Sequence, residues 1–219
     1  MVRNAQRRGG SSSSDQHILT AALDLFTEKG YHGSTIRQIA DRAGVSVPGL
    51  YHHFSSKRQL LERLMDDTMD ALLAATKEAV AAHQGDPVAL LKATVGAHVR
   101  FHIDFQRQSF VGNTELRSLV SPARERIVRK RDRQRELFDA AVGAGLRKGA
   151  FNTPYPGEAV RAIVTMCTAV ANWYRAERAL SPEQLVERYC HLALEIVGHD
   201  VSPNGSSRAG TRNHSEEHR

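Results

Sequence analysis

Cysteine, tryptophan and aromatic residues in general are scarce: the 219 residues hold two cysteines and one tryptophan, and aromatics make up 6% of the chain. Cys167 and Cys190 stand far apart, each among helix-like apolar residues. That spacing offers neither a zinc knuckle nor a redox pair, so both are expected as buried, reduced thiols. No stretch approaches the roughly 20 apolar residues of a membrane span, and Met1 to Asp15 lacks the apolar segment of a secretory signal. A cytoplasmic protein without a membrane partner is expected. Runs alternating apolar and polar residues are also missing, which argues against a sheet. So are a Gly-x-Ser-x-Gly elbow and a phosphate-cradling glycine loop, and no catalytic residue is assigned.

What is present is positive charge and helical spacing. The formal net charge is +6 and the sequence pI about 9.6, which favours a polyanionic partner without specifying one. Residues 1–14 combine Arg3, Arg7 and Arg8 with glycine and serine, a composition expected to form a flexible basic arm. Residues 200–219 are expected to form a disordered tail.

Between these ends apolar residues recur three and four apart, giving an all-α chain of about nine helices. A first helix is predicted over Asp15 to Lys29, with Gly30 as its stop. A second begins at Thr35, where Thr35 and Gln38 form a capping box, and ends near Gly44. A third, short helix begins at Ser46 with Pro48 in its first turn. Ser56 and Gln59 form another capping box ahead of a long helix reaching toward His83. Asp86-Pro87, Ser121-Pro122 and Ser181-Pro182 mark later starts, each with proline just inside a cap.

Two short helices joined by a tight turn at Gly44-Val45 can cross steeply enough for the second to enter a major groove. Ile36, Ile39, Ala40, Ala43, Val45, Leu50 and Phe54 would form their shared core. Arg37, Ser46, Val47, Pro48, Gly49, Tyr51, His52 and His53 would then face outward. Short residues at the amino end of a groove helix allow approach to base edges, and aromatic or cationic ones suit phosphates.

The run Phe26-Thr27-Glu28-Lys29-Gly30-Tyr31, then Thr35-Ile36-Arg37-Gln38-Ile39-Ala40, Ala43-Gly44-Val45-Ser46, Leu50-Tyr51-His52-His53-Phe54 and Ser56-Lys57, resembles the TetR-family DNA-binding domain. The resemblance implies a helix-turn-helix over residues 15–60 that binds double-stranded DNA, and a helical ligand-binding and dimerisation domain over 61–199. It implies phosphate contacts by the hydroxyl and amide of Thr35, by Tyr51 and His52, and by Lys57. Arg37 would reach a guanine edge or a phosphate, and Val47, Pro48 and Gly49 match base-facing positions. Many relatives carry lysine or glutamine where Val47 stands, and threonine or serine where Gly49 stands. Specificity is therefore expected from Arg37, from apolar contact with thymine methyls, and from DNA shape.

In the larger half, Phe101, Phe105 and Phe110 lie near His98, His102 and Gln108, which suits a pocket wall with a few polar groups and equally an ordinary core. His98 and His102 have the i, i+4 spacing of metal ligands, but no cysteine or carboxylate stands at a comparably suggestive position, and no metal is expected. Arg124 to Arg135 carries seven basic residues against Glu125 and Asp132. Most are expected on a solvated face, and one or two at a pocket mouth would suit a phosphate-bearing ligand.

Glu115-Leu116-Arg117-Ser118-Leu119, Gly149-x-Phe151, and Asn172-Trp173-Tyr174-Arg175 before Leu180-Ser181-Pro182-Glu183 resemble the sensor domains of TetR-type regulators of fatty-acid and steroid breakdown. That resemblance implies a small-molecule effector of the acyl-CoA thioester class and no resident cofactor. Phe101, His102, Phe105, Arg124, Trp173 and Tyr174 are the candidate ligand residues. Packing in a core or at a subunit interface is the other reading of Trp173 and Tyr174.

A homodimer is expected through the last two long helices, by Val160, Ile163, Val164, Cys167 and Val170 on one and Leu185, Tyr189, Leu192 and Ile196 on the other, stripes that must also cover their own domain core. The function implied is a repressor released from a palindromic operator by its ligand. A regulator that binds DNA only with ligand or activates transcription, a thioester-binding enzyme, and a protein-interaction module stay open at this point.

Overall fold

Side-chain caps decide where most of the helices begin. Described in a computed structural model, residues 13–83, 85–175 and 180–200 contain nine α-helices and no strand. They are α1 (Ser13–Lys29), α2 (Ile36–Ala43), α3 (Val47–His53), α4 (Lys57–Ala81), α5 (Pro87–Asp104), α6 (Gln106–Thr114), α7 (Ala123–Arg147), α8 (Pro156–Trp173) and α9 (Pro182–Ile196). A 3-10 turn at Leu116–Ser118 joins α6 to α7. The first helix starts inside the segment expected as a flexible arm; the rest of that arm and residues 201–219 of the tail lie outside the described residues. None of the described helices is long and apolar enough to cross a membrane.

Thr35 and Gln38 satisfy each other's backbone N–H groups at the start of α2, as do Ser181 and Gln184 at α9. Asp86 accepts from the N–H groups of Val88 and Ala89 at α5. At α4 the expected box is only half formed. The Ser56 hydroxyl accepts from Gln59 N, but Gln59 Oε1 takes the N–H of Ser55 instead of Ser56. At α7 the expected serine cap is absent: Pro122 itself occupies the cap position after a cis Ser121-Pro122 bond, and the Ser121 hydroxyl donates to Glu125.

One break had no signal in the sequence. Phe105, at φ −115° and ψ 44°, separates α5 from α6 without proline or glycine. Tertiary contacts fix it there. Gln106 Nε2 donates to the carbonyls of Ala171 and Tyr174 at the end of α8, and Arg107 pairs with Asp24 on α1.

Two apolar cores result. The amino-terminal one joins Ile18, Leu25 and Phe26 of α1 to Ile39, Leu50, Leu60, Leu61 and Met65, and is completed by Val111, Leu119 and Ile127 from later in the chain. The boundary expected at residues 60 and 61 therefore falls inside a continuous helix whose first turns belong to this head. The second core joins α5, α7, α8 and α9 around Val95, Phe138, Ile163 and Leu194. Burial pushes both thiols up, that of Cys190 to about 11, so both stay protonated at neutral pH.

Gly145 on α7 is held against the Phe151 ring, and an added Cβ would sit 1.9 Å from a ring carbon. Gly145→Ala is expected to cost about 1–3 kcal/mol through overpacking. Gly143→Ala, whose Cβ would meet only the flexible end of Arg147 at 3.2 Å, is expected to leave the thermal midpoint unchanged or raise it. Melting followed by circular dichroism checks both.

Candidate nucleic-acid interface and effector cavity

The crossing of α2 and α3 rests on one left-handed residue. Gly44, at φ 68°, ends α2, and the N–H of Val45 returns to the carbonyl of Ala40. The chain then enters α3 at Ser46, whose hydroxyl accepts from Gly49 N at 3.1 Å. Ile39, Ala40, Leu50 and Phe54 are buried beneath. Arg37, Ser46, Pro48, Tyr51, His52 and His53 are exposed on one side, whereas Val47 and Gly49 are half-buried. Val47 packs on the edge of the head core. A Cβ at Gly49 would lie 3.1 Å from the Ser46 hydroxyl, so any larger residue presses on the cap.

Three candidates have structural partners, of which the sequence revealed only that of Thr35. The Thr35 N–H is already held by Gln38 Oε1 at 3.0 Å, and its hydroxyl oxygen accepts from Gln38 N at 3.2 Å, which engages the amide expected to meet a phosphate. His53 Nδ1 lies 2.6 Å from a carboxylate oxygen of Asp15, tying the end of α3 to α1. Lys57 Nζ donates to the carbonyls of Tyr31 and Ser34, both at 2.7 Å, and sits 4.3 Å from the centre of the Tyr31 ring. Desolvation holds this ammonium below the ordinary lysine range. Lys57 thus clamps the turn that presents Thr35, with one N–H left for other contacts. Arg37 is exposed and has no carboxylate partner among the described residues.

Behind the head lies a cavity of about 460 Å³ between α4, α5, α6, α7 and α8. Met65, Met69, Leu72, Phe101, Ile127 and Val164 supply apolar walls. A polar chain runs along its wall. Gln134 Nε2 donates to the hydroxyl of Thr76 at 3.0 Å and to His98 Nδ1 at 3.2 Å, which leaves His98 Nε2–H to donate to Thr168 at 3.1 Å. His102 Nδ1 donates to the carbonyl of His98, and the two rings stack 4.4 Å apart. Burial holds both rings below the ordinary histidine range, His98 furthest with His102 beside it, so both are neutral at pH 7. Both nitrogens of His98 are engaged, and among the described residues no cluster of His, Cys, Asp or Glu could hold a metal.

Of the ligand candidates, the fold brings Phe101 and His102 to this cavity. It does not bring the other four. Phe105 stacks on Phe101 and is 43% exposed, and Arg124 is exposed on α7. Tyr174 is buried in the second core, its hydroxyl donating to the Leu180 carbonyl, while Trp173 is 46% exposed at the end of α8. Missed by sequence reasoning were Ser109, Gln134 and Thr168, which carry no motif. Arg131 was visible only as one member of a basic run.

A small crossed helix pair with an exposed arginine and three exposed rings, set on a larger helical body with a partly open cavity, has parallels among known proteins. Residues 18–64 match the family described as bacterial regulatory proteins, tetR family, and residues 84–197 match the tetracyclin repressor-like C-terminal domain. The chain belongs to the TetR family. The HTH-type transcriptional repressor KstR2 of Rhodococcus jostii is 28% identical over 194 residues, covering 87% of this chain and 94% of KstR2. A crystal structure of a tetR-family regulatory protein from Rhodococcus RHA1 superposes with a TM-score of 0.82 at 30% identity, covering 86% of this chain and 99% of that one. AibR, solved with isovaleryl coenzyme A and operator DNA, shares the fold at a TM-score of 0.72 and 21% identity, over 85% of this chain and all of AibR.

Like other TetR-family chains, this protein is a DNA-binding transcriptional regulator and not an enzyme. TetR regulators bind operators as homodimers and respond to small molecules. The seam residues expected from sequence need correction. Val160, Ile163, Cys167, Val170 and Leu185 are consumed by the chain's own core. Leu192, at 44%, is the exposed member of those stripes.

Arg37→Ala is expected to weaken discrimination at one or two operator positions, by about 1–3 kcal/mol if the contact is bidentate to a base, without lowering the thermal midpoint. Competition between operator and scrambled duplexes checks this. Unchanged discrimination removes Arg37 from the base-reading set.

Proposed function

We propose that this protein is a ligand-released repressor that acts in the cytoplasm as a homodimer on a palindromic operator. Residues 15–60 read DNA through Thr35, Arg37, Ser46, Val47, Pro48, Gly49, Tyr51, His52 and His53, with Lys57 holding the turn beneath them. Residues 61–199 bind the effector and the partner subunit. The observation that carries the reading is that α4 and α6 both line the cavity and both reach into the head core. An occupant of the cavity that moves either helix must move the DNA-reading surface.

A second link supports the same route. Just beyond α6, Glu115 Oε1 accepts from the N–H of Tyr31 at 3.1 Å, and its other oxygen accepts from the Ser118 hydroxyl. Ser118 in turn lies 3.2 Å from His32 Nε2. The turn between α1 and α2 is therefore gripped from α6 as well as by Lys57 from α4. A ligand that prefers a shifted α6 would populate heads spaced wrongly for successive grooves.

An acyl-CoA thioester is the effector class we infer, supported by the sensor-domain resemblance and by the isovaleryl coenzyme A seen in AibR. The volume fits an acyl group and part of a pantetheine arm, within the range of small-molecule sites. The dimer seam we infer uses the outer faces of α8 and α9, where Ala162, Thr165 and Trp173 on one helix and Arg188 and Leu192 on the other are exposed.

Selection of random duplexes on the purified protein, followed by titration of the winning site with acyl-CoA thioesters, tests this. A palindrome released by one thioester is expected. A palindrome indifferent to all thioesters would discard that effector class, and tighter binding with ligand would reverse the direction. Glu115→Ala is expected to preserve effector affinity while reducing, several-fold, the ratio of operator affinities without and with effector, a loss of about 1 kcal/mol of coupling. An unchanged ratio excludes the Glu115 route.

A further inference from the structure

Six of the seven basic residues between Arg124 and Arg135 behave as a charged helix face should. Arg126 and Lys130 pair with Asp66, Arg129 with Glu125 and Arg135 with Asp139, while Arg124 and Arg133 are exposed. Arg131 differs. It turns inward to the cavity wall, where its Nη2 donates to the backbone carbonyl of Gly112 at 2.6 Å. No carboxylate pairs with it among the described residues. Desolvation alone pushes its guanidinium below the ordinary arginine range. A guanidinium carries five N–H donors, and half-burying Arg131 against a single carbonyl leaves most of its donors without a protein partner.

The facing wall has a second unsatisfied group. Ser109, 4% exposed, has no hydrogen-bond partner for its hydroxyl, and it stands one turn before Gly112 on α6. Residues three apart share a helix face, so Ser109 and the carbonyl that anchors Arg131 belong to one strip of cavity wall. Asn113 adds an amide that reaches only the carbonyl of Thr168, at 3.4 Å. His98 and His102 are neutral, which leaves Arg131 the one formal charge among the lining residues, with no anion to offset it.

We infer that Arg131, with Ser109 beside it, forms an anion-binding subsite inside the cavity, so that the effector carries a carboxylate or a phosphate at this end and apolar substance against Met65, Met69 and Ile127. A planar guanidinium takes either anion through paired N–H donors. The inference rests on the cavity being the effector site and adds to it the charge of the effector and the residue that reads it. The anion could belong to a free acid or to the phosphates of a coenzyme A thioester, both of which Arg131 would hold.

The test is calorimetric titration of the full chain with decanoate, decanoyl coenzyme A and the uncharged methyl decanoate, on the wild type and on Arg131→Met, Arg131→Lys and Ser109→Ala. Thermal melts establish that each variant is folded. Binding of at least one anionic probe is expected, weakened tenfold or more by Arg131→Met and partly restored in Arg131→Lys, with methyl decanoate indifferent to the substitution. Loss confined to decanoate assigns the anion as carboxylate, and loss confined to the thioester assigns it as phosphate. Probes that bind the wild type and Arg131→Met equally would overturn the subsite while leaving the cavity as effector site. Failure of every probe to bind the wild type would overturn both.

Discussion

The DNA-reading head does not close its own apolar core. Three short helices and the first turns of α4 are too little chain to bury Ile18, Phe26, Ile39 and Leu60 unaided, and Val111, Leu119 and Ile127 fill the remaining side. The rest of the molecule follows from that shared burial. The helix that supplies Val111 also supplies Ser109, Gly112 and Asn113 to the cavity, and the helix that supplies Ile127 also supplies Arg131 and Gln134. Close-packed interiors transmit displacement because they have few voids to absorb it. A sensor built this way is coupled to its reader by the same contacts that keep the reader folded.

The cavity wall places polar groups where stability alone would favour apolar ones. The chain from Thr76 through Gln134 and His98 to Thr168 is satisfied on its nitrogen side, yet Gln134 Oε1 and the Ser109 hydroxyl have no partners. Each such group costs about 1–3 kcal/mol when left unpaired, and the half-buried guanidinium of Arg131 adds to that cost. Packing of α4, α7 and α8 around them tolerates that cost. Unmet hydrogen-bonding capacity concentrated in one cavity is the pattern of a site that a polar ligand completes.

Much of the reading surface was legible because its physics is local. Thr35 with Gln38, Gly44, and Ser46 ahead of Gly49 act within a few residues, so caps and turn could be placed from spacing alone. Arg37, Tyr51 and His52 followed as the outward side of that geometry. What distance in sequence concealed was the engagement of Lys57 with the turn at Tyr31 and Ser34, and of His53 with Asp15. In the sensor, periodicity identified apolar stripes on α8 and α9 but could not tell which neighbour each stripe would cover. Val160, Ile163 and Leu185 proved to belong to the chain's own core.

The sequence by itself determined an all-helical chain, its helix-turn-helix and the family to which both belong, since helix periodicity, caps and tight turns depend on residues near one another. Only the tertiary structure decided the break at Phe105, the completion of the head by α6 and α7, and the inward turn of Arg131 out of a basic run. The break at Phe105 depends on packing between segments far apart in the chain, as the pairing of Arg107 with Asp24 across 83 positions illustrates, and even Arg131 finds its carbonyl at Gly112, 19 positions away on another helix. No local pattern encodes which of several similar faces will be buried. That choice is made by the space left when every other helix has been placed.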